Sequence, residues 1–211
     1  MKRNLLLFGA LAGVVFFVTV YVLAAYVPGY SHVSETVSEI GEIGSPIAKT
    51  FQIAMLAVNL CVVLFAAGLL HLARDNNLSG VPAFFVAWFG LVDIGTNIFP
   101  SPHPLHNVFG LALTVGYLAP LVMAIAWRRH DVVRSIVVVS WLVAALVFAS
   151  IFLNISPAFN RGLYPLEYYG IVQRSAFVLI YGWFAWLGLW GLSISRRPIR
   201  DDLSQTSISA S

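Results

Sequence analysis

Between Ser31 and Pro46 the chain reads SHVSETVSEIGEIGSP, which gathers three of its nine acidic residues and one of its five histidines. If this stretch is helical, Ser34 and Ser38 lie one turn apart, as do Glu35 and Glu39, so a hydroxyl row runs beside a carboxylate row. His32 stands three residues before Glu35. Oxygen and nitrogen donors at this spacing suit three kinds of chemistry. They can hydrogen-bond a polar ligand, hold a zinc-type ion with one open position for water, or supply a hydroxyl nucleophile to a histidine base. His106, further along the chain, would be that base, and His32, Glu35, Glu39, Asp93 and His106 would be the metal donors.

More polar residues recur at helical spacing inside apolar surroundings. Lys49, Gln52 and Asn59 form one stripe, Asp93, Thr96 and Asn97 a second, and Asn107, Gly110, Thr114 and Tyr117 a third. Ser150 and Asn154 follow, and then Gln173, Arg174 and Tyr181. At 1.5 Å per residue, Asp93 and Arg174 lie at matching depths of roughly 7 to 10 Å from the ends of their segments. Charges inside a membrane normally face one another or a wet cavity, so an Asp93–Arg174 ion pair is expected. It would either lock two helices together or present the Arg174 cation to an anionic ligand. The candidate ligand-binding set is Ser34, Glu35, Ser38, Glu39, Lys49, Asp93, Asn97, His106, Asn107, Gln173 and Arg174. His103 reads as interfacial, His71 as an interfacial cap and His130 as a solvated loop residue.

The elements that must position these groups are set by composition. In 211 residues, 59% are hydrophobic and 10% charged, far from a soluble average. Six apolar runs are long enough to cross a bilayer: Asn4 to Val27, Ile47 to Ala73, Val81 to Phe99, His106 to Trp127, Ser135 to Asn154 and Tyr169 to Ile194. Each must be helical, because lipid offers no partner to a free backbone amide. The fold class predicted is an all-α polytopic transmembrane helix bundle of six spans. A short amphipathic outer-surface helix lies between spans one and two, with Val33, Val37 and Ile40 on its apolar side. Gly41 and Gly44 break that helix, and Ser45-Pro46 restarts the chain with Ser as N-cap and Pro at the first helical position.

Met1-Lys2-Arg3 and the long apolar run behind it read as an uncut first span. Lys2, Arg3, Arg74, Arg128, Arg129, Arg134, Arg196, Arg197 and Arg200 then fall on one side, and Lys49, Arg161 and Arg174 on the other. By the positive-inside rule the protein is a multi-pass cell-membrane protein with both termini cytoplasmic. Residues 1–195 form a single transmembrane domain, and 196–211 a basic, then polar, disordered cytoplasmic tail. The basic residues form no groove with interleaved aromatics, so nucleic acid is not an expected partner. The lone Cys61 excludes an intramolecular disulfide and reads as a small core residue. Membrane lipid is the expected partner, along with a small amphiphilic ligand. Cofactor, metal and oligomeric state stay open.

The order SETVSEIGEIGSP after span one, NIFP closing span three, HN opening span four and GIVQR opening span six resembles a family of small prokaryotic integral membrane proteins. That family is carried as a domain of unknown function, and the resemblance runs from about Leu5 to Leu192. It implies architecture and location, and no activity. The chain departs from the family pattern at one place. Phe99-Pro100 is followed by Ser101-Pro102-His103 where an acid is expected, and the nearest acid is Asp93.

Four functions fit these residues. The favoured one is binding or transport of a small amphiphile or lipid headgroup in an outward-facing polar pocket, with Arg174 and Lys49 on an anionic group. The second is a membrane-embedded hydrolase, metal-assisted or using Ser34 or Ser38 with His106, although neither HExxH nor GxSxG occurs. A structural or regulatory subunit is the third. A haem electron carrier is the fourth, and it lacks suitably placed histidines in the spans.

Overall fold

The computed structural model describes residues 2–194. The expected basic tail with Arg196, Arg197 and Arg200 lies outside the described residues. A 3-10 turn over Lys2–Leu6 leads into α1 (Leu7–Ala24). After a loop come the one-turn α2 (Val37–Ile40), then α3 (Ala48–Asp75) and α4 (Val81–Ile98). The chain continues through α5 (Pro104–Leu113), α6 (Ala119–Trp127), α7 (Arg134–Ile155) and α8 (Tyr169–Ile194). No strand occurs among the described residues.

Six helical segments are long and apolar enough to cross a membrane, and the protein is a six-span membrane protein. Their limits differ by a few residues from the apolar runs. Span four begins at Pro104, not His106, because His103 caps it: its Nδ1 accepts a hydrogen bond from the Leu105 amide at 3.1 Å. Ser45 does not cap α3. Its hydroxyl donates to Ile40 O at 2.7 Å, and the helix starts at Ala48.

The spans form a ring in chain order. α1 packs between α3 and α8, α3 on α4, α4 on α5 and α6, α6 on α7, and α7 on α8. Lipid tails are as apolar as leucine, so close backbone approach does much of the work of association. At the α1–α8 contact a Cβ on Gly9 would stand 2.5 Å from Phe184 O, which leaves no room for a side chain. Aromatic rings fill the middle of the ring of helices. Phe16 stacks on Tyr181 at 4.4 Å between centroids, Phe65 meets Phe184 at 5.5 Å, and Phe89 lies edge-on to Tyr181 at 6.0 Å.

One span is broken, and the break shapes the site. Pro120 lacks an amide hydrogen and its ring would clash with the carbonyl four residues back, at Gly116. The chain therefore turns through a 3-10 segment over Gly116–Leu118 between α5 and α6. Gly116 is pressed onto α4, where a Cβ would lie 2.7 Å from Phe89 Cβ. Below the break α6 packs on α7. Above it α5 leans on α4, and a space opens between α5 and α7.

Candidate functional site

That space is a cavity of about 480 Å³, within the roughly 300–1,000 Å³ typical of small-molecule sites. It lies at the end of the bundle that carries α2. Asp93, Thr96 and Asn97 line it from α4, and His106, Asn107, Gly110, Leu111 and Thr114 from α5. Ile151, Asn154 and Ile155 come from α7, and Tyr169, Gln173, Ala176 and Phe177 from α8. Thr36 and the start of α2, at Val37 and Ser38, reach over it beside Phe51 in the first turn of α3, while Phe16, Met55 and Tyr117 line it further along their helices.

The polar wall is built on α4 and α5. Asp93 is 8% exposed, and its Oδ1 accepts from the Thr96 hydroxyl at 2.8 Å. Asp93 is one of the residues that line the cavity. Asn97 Nδ2 donates to Asp93 O at 2.7 Å, which fixes that amide on the same face. Beside Asp93 the fully buried amide of Asn59 is close enough to act on the carboxylate but has no hydrogen bond of its own. His106 Nδ1 lies 2.9 Å from Phe99 O and 3.1 Å from Thr96 O. Both are carbonyls near the C-terminal end of α4 and can only accept, so Nδ1 carries a proton and donates to them.

The apolar wall is aromatic and aliphatic. Phe16, Phe51, Leu113, Ile151 and Phe177 face the same space, together with Leu111 and Ile155. Leu111 and Ile155 are also 73% and 52% exposed on the outside of the bundle. They therefore mark a rim where the cavity wall meets the lipid-facing surface, between α5 and α7.

The site residues expected from the sequence divide into two groups. Ser38, Asp93, Asn97, His106, Asn107 and Gln173 line the cavity together. Ser34, Glu35, Glu39, Lys49 and Arg174 do not. Lys49 and Ser34 are exposed. Glu35 accepts from the Ser31 amide at 2.5 Å, and Glu39 accepts from the amide and hydroxyl of Thr36, the residue that caps α2. A one-turn helix leaves most of its amide hydrogens without intrahelical partners, and these carboxylates satisfy the local ones. The continuous helix that would have aligned the serine and glutamate rows is absent, since only Val37–Ile40 is helical.

The expected Asp93–Arg174 ion pair does not form. Arg174, 8% exposed, donates through Nη1 to Glu35 O at 2.5 Å and Gly170 O at 3.0 Å, and through Nη2 to the Tyr30 hydroxyl. Its guanidinium carbon lies 5.7 Å from the centre of the Tyr30 ring. Gln173, next to it, accepts the Val37 amide at 2.8 Å. Arg174 and Gln173 thus clamp the 30–37 loop onto α8. Burial pushes the Tyr30 phenol up to about 12 in spite of the Arg174 cation, so Tyr30 serves the clamp as a neutral hydroxyl.

His32 is held in this loop between Tyr21 and Tyr30, at 4.8 and 5.3 Å between ring centres. Burial, helped by the Arg174 charge, lowers its pKa from the ordinary 6.5. Its Nδ1 is sealed without a partner, so a second ring proton would find no acceptor. The unfolded chain binds that proton more readily. The stability this neutral ring contributes is present above pH 6.5 and lost as pH falls through the lowered value. Thermal melts should therefore drop in midpoint below about pH 6.5, with a shallower drop in His32→Phe. Equal slopes in the two proteins would rule His32 out as the cause.

No three His, Cys, Asp or Glu side chains come together as metal ligands among the described residues. His32, Glu35 and Glu39 are engaged in the loop, apart from Asp93 and His106. Ser38 Oγ lies 3.0 Å from Thr36 Oγ1 and makes no hydrogen bond to His106. What the sequence patterns miss is the apolar half of the cavity. Phe16, Phe51, Tyr169 and Phe177 look like ordinary span residues, and only Pro120, inside the fourth apolar run, signals a break that could open a space.

No curated protein and no solved structure matches the chain. One family's sequence model does match, over residues 10–190, and it is described as a protein of unknown function (DUF998).

Proposed function

Because the chain belongs to this membrane family, whose description names no activity, we propose a function from the cavity itself: it binds or transports a small amphiphile or lipid headgroup. The observation that carries the reading is a cavity inside the spanning bundle with a polar wall on α4 and α5, an apolar remainder, and a rim at Leu111 and Ile155. An amphiphile in the bilayer already has its chain in lipid. Entry between α5 and α7 brings its polar end to Asp93, His106, Asn107 and Gln173 without passage through water. The chain lies against Ile151, Leu113 and Phe177, where buried apolar surface contributes about 25 cal/mol per Å².

A photoreactive alkyl amphiphile, incorporated in nanodiscs with the purified protein and mapped by mass spectrometry, tests this. Labels should concentrate on the cavity face of α5, α7 and α8 and fade when the unlabelled amphiphile is added. Labels spread evenly over the lipid-facing surface, with no competition, would sink the reading.

With the positive-inside distribution of Arg74, Arg128, Arg129 and Arg134 against Lys49 and Arg161, the cavity faces outward and both termini are cytoplasmic. An alkaline phosphatase fused to the C-terminus should then be inactive in cells and a fluorescent protein bright. The opposite pair of results reverses the orientation.

A further inference from the structure

We propose that the polar end this cavity takes is a cationic nitrogen, so that its ligand is an amphiphilic amine or quaternary ammonium. The inference rests on the amphiphile reading above and adds the charge of the headgroup. Among the described residues Asp93 is the only Asp, Glu, Lys or Arg that lines the cavity. Its Oδ1 accepts from the Thr96 hydroxyl, a neutral donor, and neither Lys49 nor Arg174 pairs with it. The three Lys and Arg residues at this end of the bundle are elsewhere: Lys49 and Arg161 are exposed, and Arg174 turns Nη1 and Nη2 to Glu35 O, Gly170 O and the Tyr30 hydroxyl. An anionic headgroup would meet a carboxylate and no compensating charge, at a depth where an unpaired charge is costly.

Aromatic rings support the same assignment. Phe16, Phe51, Tyr117, Tyr169 and Phe177 all line the cavity. The negative face of an aromatic ring attracts a cation, most strongly where water is excluded, and rings combined with a carboxylate are the chemistry that recognises ammonium groups.

The test uses three probes of one chain length, each below its micelle-forming concentration: decyltrimethylammonium, decanol and decyl phosphate. Binding to the full-length protein in nanodiscs is read by competition against the photoreactive amphiphile. The ammonium should bind about tenfold more tightly than decanol, and decyl phosphate more weakly than either. Asp93→Asn should remove about tenfold of the ammonium affinity, a larger loss than it causes for decanol. Equal binding of the ammonium and decanol, or preference for decyl phosphate, overturns the cationic assignment and leaves the amphiphile reading standing. If none of the three competes, both fail. The comparison in the unmodified protein decides the matter even if Asp93→Asn does not fold.

Discussion

Arg174→Ala should lower the thermal stability of the protein more than any other single change at the cavity end of the bundle. The guanidinium satisfies Glu35 O and the Tyr30 hydroxyl, both in the loop, and also reaches Gly170 O on its own helix. Alanine leaves the two loop acceptors without this donor in a part-buried setting, at a cost of about 1–3 kcal/mol for each orphaned group. The Tyr30 ring also loses the cation that it faces. The low end of that range, about 2–3 kcal/mol in all for part-buried groups, corresponds to a fall in midpoint of roughly 4–12 °C for a chain of this size. Cys61 supplies the readout, since it is the only cysteine and is buried, so a thiol-reactive dye reports unfolding. Arg174→Lys should fall between the two, because one ammonium cannot reproduce the planar fork. An unchanged midpoint in Arg174→Ala would show that the loop is held by other contacts, such as the Gln173 bond to the Val37 amide.

Gly110→Leu should do the reverse, abolishing ligand competition while leaving stability unchanged or raised. Gly110 lies inside α5 and lines the cavity, and a Cβ built on it meets nothing within 4 Å. Exchanging a mid-helix glycine for leucine favours the helix by roughly 0.5–1 kcal/mol through lost unfolded-state freedom. The same side chain occupies space that an amphiphile needs. The expected result is a loss of photolabel competition of about tenfold or more with no fall in the Cys61 dye midpoint. Gly110→Ala, with one carbon, should stabilise similarly and bind nearly normally. If Gly110→Leu binds like the unmodified protein, the ligand does not use this cavity. Stability lost together with binding would instead point to α5 packing, and the alanine variant separates the two.

Much of the cavity's polar wall is legible in the amino-acid sequence. Asp93, Thr96 and Asn97, and then Asn107, Gly110, Thr114 and Tyr117, repeat at helical spacing in apolar runs, and both stripes do face one space. A polar face on a membrane helix has few places to go other than inward. The acidic stretch is harder to read. Glu35 and Glu39 are four residues apart, but whether that spacing makes a row depends on a helix that forms only from Val37 onward. The local demand of unpaired amides at Ser31 and Thr36 captures both carboxylates, and no ligand-facing row exists. Arg174 at a depth matching Asp93 suggests a pair, but equal depth says nothing about rotation about the helix axis.

The chain by itself determined six spans, their order and their limits to within a few residues, because lipid forces each apolar segment to close its own hydrogen bonds whatever its neighbours do. It also carried the family resemblance, which the match over residues 10–190 bears out. Only the tertiary structure decided which groups meet. Lipid tails offer apolar surfaces the same environment as a neighbouring helix, so the apolar pattern does not fix how each span is rotated. Rotation was settled by close backbone contacts such as Gly9 on Phe184 O, by the Pro120 break that tilts α5 onto α4, and by Arg174 binding the loop over α8. Those contacts turned an expected charge pair into a structural clamp, and left Asp93, alone among the described carboxylates, in the wall of a cavity lined with aromatic rings.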